Sequence, residues 1–85
     1  MPNKRIVSTR FDDGDGVLVD LGTKRYYQLN ETAMLVWDGV DSEQPIAEIA
    51  NRFTAAFNVT PERAVESIER IIEKFRSLDL IQKPY

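Results

Sequence analysis

Three short β-leaning segments followed by three stretches of helical spacing place this chain in the α+β class. The expected architecture is winged helix-turn-helix-like, a three-stranded antiparallel sheet followed by three helices. Two observations carry that reading. Asp- and Gly-rich turn clusters separate the first segments at hairpin distances, and good capping residues stand where helical spacing begins. Length adds a third constraint: 85 residues suit one domain, spanning 1–85, with one thin core and little material to enclose a deep active site.

Residues 6–11 form a short, weakly patterned strand, and residues 12–16 (Asp-Asp-Gly-Asp-Gly) a turn with two glycines able to supply positive φ. A second strand over residues 17–21 sets Val17, Val19 and Leu21 on one face. After the Gly22-Thr23-Lys24 turn, a third strand over 25–29 places Tyr27 and Leu29 on one face and Tyr26 and Gln28 on the other. Asn30 caps the first helix, in which Ala33, Met34 and Trp37 share a face before Gly39 ends the segment. Pro45 opens the second, with the stripe Ile46, Ile49, Ala50, Phe53 and Phe57, and Asn58 suits the left-handed position that closes it. Thr60 and Pro61 start the third and longest helix, which runs to about Leu78.

Composition excludes several functions. There is no cysteine and no histidine, which removes disulfides, thiolate nucleophiles, imidazole bases and the usual zinc sites. Asp and Glu outnumber Lys and Arg, 14 to 11, whereas duplex-DNA binders usually carry a basic surplus. No apolar run approaches signal-peptide or membrane-span length, so a cytoplasmic protein that binds neither membrane nor nucleic acid is expected. Asp12, Asp13 and Asp15 lack the spacing of a calcium loop. The glutamates of the third helix pair with no nucleophile, and Glu66 and Arg70 are spaced as an ordinary i, i+4 ion pair. The expectation is a non-enzyme with no cofactor and no metal.

Two features invite a binding role. On the third helix the apolar residues Leu78, Ile71, Ala64, Phe75, Ile68, Ile72 and Val65 span an arc of roughly 140° at 100° per residue, while core packing needs only about 100°. One reading is a wide core face; the other is that the Ile71/Leu78 margin lines a groove whose rim is Arg63, Ser67, Arg70 and Lys74. The second feature is the third strand, an edge if the meander follows sequence order. Its centre, Tyr26 to Leu29, carries no charge to deter pairing. Such an edge accepts an extended peptide, unless it is covered or paired in a dimer.

The run from Gly16 to Trp37 resembles the PqqD-like family, whose members recognise ribosomally made, post-translationally modified peptides. The telling positions are Tyr27-x-Leu29-Asn30, Thr32-Ala33 and Trp37; Ile46 to Ile49, Phe57-x-Val59 and the close of the third helix near Leu78 to Ile81 also fit. The similarity spans about residues 6–81. One departure is Ser42, where members often have Gly. The resemblance implies that the leader segment of a precursor peptide binds as a fourth strand, and that the module presents it to a modifying enzyme such as a radical-SAM enzyme or to a leader protease. Carried onto this sequence, the peptide-binding residues are Arg25, Tyr26, Tyr27, Gln28 and Leu29 on the strand and Ile71, Lys74, Phe75 and Leu78 on the helix. Asn30 and Trp37 read as structural. Related modules serve quinone cofactors, lasso peptides and other classes, so the modification stays open. The rivals are a winged-helix DNA-binding protein, disfavoured by a second helix with only Arg52 beside Glu48, and a homodimer that pairs its own edge strands without a precursor peptide.

Overall fold

The computed structural model describes residue 3 and residues 5–81; the two ends of the expected 1–85 unit lie outside them. Strands β1 (Ile6–Arg10), β2 (Gly16–Asp20) and β3 (Arg25–Leu29) precede helices α1 (Glu31–Asp41), α2 (Ile46–Ala56) and α3 (Pro61–Ser77). The sheet is antiparallel throughout, in the order β1-β2-β3. The α+β architecture therefore matches the expected sequence of elements, and β3 is an edge strand.

The first hairpin turns where Gly14 adopts φ 96°, a left-handed backbone that costs glycine nothing. Asp13 accepts from the N–H of Asp15 at 3.0 Å, and the N–H of Phe11 reaches the Asp15 carbonyl at 2.7 Å. In the second turn the left-handed residue is Lys24 (φ 61°), with Gly22 outside that region. Asp20 supplies the compensation. Its carboxylate accepts from the N–H groups of Gly22 and Thr23 and from Arg5 Nε at 2.8 Å, and its carbonyl accepts the Lys24 N–H.

β2 buries the opposite set from the one its valines suggest. Gly16, Leu18 and Asp20 face the helices, while Val17 and Val19 are half-exposed and Leu21 is 60% exposed. The sheet has helices on one face only, so Leu18 alone from this strand fills the core, and Asp20 is buried because Arg5 covers it.

Asn30 caps α1 by accepting from the Ala33 N–H at 3.0 Å. Gly39 does not end this helix. It lies inside it, buried against α2, and a Cβ there would come within 2.6 Å of Ile49 Cγ1. Its function is close helix approach. Termination falls at Ser42 with ordinary backbone angles, and the left-handed φ is taken by Glu43 at 57°; the departure at Ser42 is thus absorbed one residue later. Asn58 is not left-handed either, because α2 closes through Phe57 in extended geometry. Thr60 caps α3, with Pro61 at its start.

Trp37, Phe75, Leu18, Ile49, Phe53 and Ile68 form the centre of the core. Trp37 is 1% exposed and meets Phe75 edge-on, with ring centroids 5.3 Å apart. After α3 the chain turns at Asp79 (φ 57°) and drives Leu80 and Ile81 into the same core. There the Asn3 N–H donates to the Leu80 carbonyl, and Arg5 bridges Asp20 and Asp79.

Two outcomes follow. Trp37→Ala is expected to cost about 3–5 kcal/mol, measured by urea unfolding, with a value under 1 kcal/mol contradicting this placement. Burial raises the Asp20 carboxyl, but hydrogen bonds from Arg5 and from the Thr23 and Gly22 amides outweigh it and hold the group below the usual carboxylate range. A depressed folded value gives stability that is present above the unfolded pKa near ~4 and is lost as pH falls through the folded one. Asp20→Asn should therefore destabilise at pH 7, and the gap between the two proteins should narrow in acid; equal gaps in urea melts at about pH 7 and about pH 3 would contradict the assignment.

Candidate binding groove

Backbone pairing decides which amides β3 leaves open. Arg5 pairs with Leu21 and Phe11 with Asp15 through backbone hydrogen bonds, so odd-numbered residues of β2 direct their N–H and C=O groups to β1. Even-numbered ones then bond β3, at the pairs Asp20–Arg25, Leu18–Tyr27 and Gly16–Leu29. Tyr26 and Gln28 are left with both backbone groups facing the free edge. Their side chains lie on the outer face of the sheet, where Tyr26 is 75% exposed. Tyr27 and Leu29 turn inward, half-buried against the helical layer.

Across from this edge stands α3. It packs on α2 and α1, β3 packs on β2 and α1, and α3 and β3 are not closely packed on each other. Between them lies a cavity of about 430 Å³. Tyr26, Tyr27, Gln28 and Leu29 make one wall, and Ile71, Lys74, Phe75 and Leu78 the other. Eight of the nine residues carried over from the sequence are thereby brought together. Arg25 sits exposed at the start of β3, outside the cavity lining.

Asn30 and Ala33 also line the cavity, at its α1 end. Sequence reasoning assigned Asn30 to capping alone; it does both, because the first turn of α1 directly follows the edge strand.

The α3 arc divides as its width implies. Ala64, Ile68, Ile72 and Phe75 are buried, while Ile71 and Leu78 are half-buried at the groove and Val65 at the opposite margin. Phe75 is shared, since it packs edge-on with Trp37 and also lines the cavity. The groove is thus a strip of apolar surface that the core does not cover, lying beside an open row of backbone donors and acceptors.

Charge is segregated around it. Arg5, Arg10 and Arg76 hold the carboxylates of Asp20 and Asp79, Asp38 and Glu73, and Arg52 holds the Gln44 side chain. Among the described residues, the side chains of Lys24, Arg25, Arg63, Arg70 and Lys74 enter no ion pair. The expected Glu66–Arg70 pair does not form. On the next turns it is Glu73 that binds a cation, Arg76, along the face away from the groove. Among the described residues no cluster of His, Cys, Asp or Glu could hold a metal ion, and no helix is long and apolar enough to cross a membrane.

Comparison with known proteins bears on the family and the fold. The sequence pattern of the family described as coenzyme PQQ synthesis protein D (PqqD) matches residues 15–81. The structure of TbiB1 in complex with the TbiA(beta) leader peptide superposes with a TM-score of 0.87 at 19% identity, covering 99% of this chain and 96% of that one. Lasso peptide synthetase B1 complexed with the leader peptide gives 0.82 at 24% identity, covering 94% and 93%. No curated protein sequence matches the chain. At these identities the two structures establish the fold.

Because Ile71 and Leu78 lie at the margin of the core, Ile71→Asp and Leu78→Asp should each cost only about 1–2 kcal/mol, whereas Phe75→Ala should cost about 3–5 kcal/mol. Thermal unfolding of the three variants tests this; collapse of either Asp variant would return those residues to the core.

Proposed function

The chain belongs to the PqqD family, and on that premise we propose that it captures the leader segment of a ribosomally made precursor peptide by strand addition. Held in this way, the peptide is presented to a separate modifying enzyme or leader protease in the cytoplasm. The observation that supports the reading best is the conjunction at β3: outward-facing amides at Tyr26 and Gln28, beside an apolar wall on α3.

The mechanism follows from strand geometry. A peptide strand bonded to Tyr26 and Gln28 places the residues opposite Tyr27 and Leu29 in non-hydrogen-bonded positions, where facing side chains approach most closely. Those residues point into the cavity, against Ile71, Phe75 and Leu78. Backbone bonds supply affinity for any extended chain, and the cavity supplies selection for alternating apolar side chains. Antiparallel pairing continues the pattern of the existing sheet and is the more stable mode per residue.

The module does no chemistry of its own in this reading. It contributes effective concentration, converting encounter of enzyme and core peptide into an intramolecular step. The two solved structures complexed with leader peptides share the fold at high coverage, which supports leader-peptide binding as the use of this fold here.

Gln28→Pro is the direct test. Proline removes the N–H that faces the free edge and leaves the β2–β3 pairs intact. With a native circular dichroism spectrum retained, the variant should lose precursor-peptide binding by at least about tenfold, or ~1.4 kcal/mol. Amide shifts on peptide titration should concentrate on residues 24–29 and one face of residues 71–78; shifts centred on α2, with β3 silent, would refute strand addition.

A further inference from the structure

We infer that the groove continues past Ile71 into a second cavity, which takes a large apolar side chain, flanked by a carboxylate, from the peptide segment N-terminal to the paired residues. This inference rests on the strand-addition reading above and extends it to the chemistry of the peptide.

The second cavity measures about 350 Å³ and is lined by Phe53, Phe57 and Val59, with Thr32, Ser67 and Arg70 at its polar side. Ile71 lines both cavities, so they meet at that side chain. The rings of Phe53 and Phe57 stand 4.9 Å apart, tilted at 59°. Phe53 is buried, whereas Phe57 is half-buried and Val59 is 37% exposed on the link between α2 and α3. An aromatic pair and an exposed valine around a volume of this size form an apolar receptacle that the core of this chain leaves unfilled.

Its position sets which part of a peptide arrives there. Thr32 lies in the first turn of α1, just beyond the Leu29 end of β3, and Ser67 and Arg70 lie on the N-terminal side of Ile71 along α3. An antiparallel fourth strand begins at the Leu29 end. Residues N-terminal to the paired segment therefore run toward the second cavity. One helical turn from Lys74 to Arg70 is a rise of ~6 Å, and two strand residues cover ~6.6 Å. The apolar anchor thus falls two or three residues before the one opposite Leu29.

Charge selects the rest. Arg70 lines the second cavity and Lys74 the first, and Arg63 lies on the same helical stripe two turns back. Among the described residues no carboxylate engages any of the three, although the chain carries 14 acidic residues. A carboxylate beside the anchor satisfies Arg70 at low desolvation cost on this exposed rim. A second copy of the chain fits worse. Antiparallel self-pairing at β3 would bring the partner's own strand start, with Lys24 and Arg25 of the partner subunit, toward Arg70, setting like charges together.

The test begins with random peptides of about 12 residues, long enough at ~3.3 Å per residue to span both cavities. They are displayed on phage and selected on the immobilised full chain. An enriched peptide is then synthesised intact and with its N-terminal flank removed, and both are titrated by fluorescence anisotropy. Expected is an enriched pattern of a large apolar residue next to Asp or Glu, two or three positions before alternating apolar residues. Val59→Glu and Arg70→Glu should each weaken the intact peptide by roughly tenfold and leave the trimmed one unchanged, while Gln28→Pro should abolish binding of both. If Gln28→Pro abolishes binding but Val59→Glu and Arg70→Glu bind the intact peptide as the native chain does, the groove ends at Ile71 and this inference is overturned alone. If binding is insensitive to Gln28→Pro, strand addition itself fails and the inference falls with it.

Discussion

The edge-on contact between Trp37 and Phe75 fixes the placement of everything that matters for binding. It seats α3 against α1, and α1 is tied directly to β3 through the Asn30 cap. The distance from α3 to the sheet edge is therefore set by two buried rings and one short turn. Phe75 packs against the indole and also lines the cavity, so the groove floor is continuous with the core beneath it. A sheet of three strands cannot cover both margins of so wide an apolar helix. The uncovered margin becomes the groove wall.

The sheet needs its own restraint, because helices cover one face only and β2 gives the core a single large side chain, Leu18. Arg5 and Asp20 supply it. One carboxylate caps the β2–β3 turn, accepts from Arg5 and allows Lys24 a left-handed backbone, while the same guanidinium reaches Asp79 beyond α3. Buried ion pairs are weak sources of net stability, but removing one partner leaves a buried charge uncompensated. The cluster works as a registration device. It fixes where β3 begins, and with that which of its amides face outward.

Much of the fold was legible in local chemistry. Asn30 and Thr60 caps, Pro61 at the start of α3, the glycine turn at Gly14 and the stripe from Ile49 to Phe53 all form as their residue types require. Readings failed where a neighbour in space overruled a local preference. Gly39 stands in mid-helix because Ile49 needs the room. The valines of β2 face outward because the buried Asp20 finds a half-exposed partner, Arg5, fifteen residues away in sequence. The left-handed positions went to Lys24, Glu43 and Asp79, since hydrogen bonds at each turn outweighed the preference for Gly or Asn.

By itself the sequence determined the order and type of the elements, an apolar arc of α3 wider than core packing requires, a third strand without a central charge and the absence of cysteine and histidine. These are periodicity and composition, which need no knowledge of who sits beside whom. Tertiary structure decided which margin of that arc is uncovered, that α3 and β3 stand apart, that Tyr26 and Gln28 are the residues with open amides, and that the unengaged cations gather on the groove side. Each of these depends on strand register and helix placement. A shift of one residue in β3 would turn Tyr27 and Leu29 out to solvent and close the amides now open, and no local pattern in five residues encodes that choice.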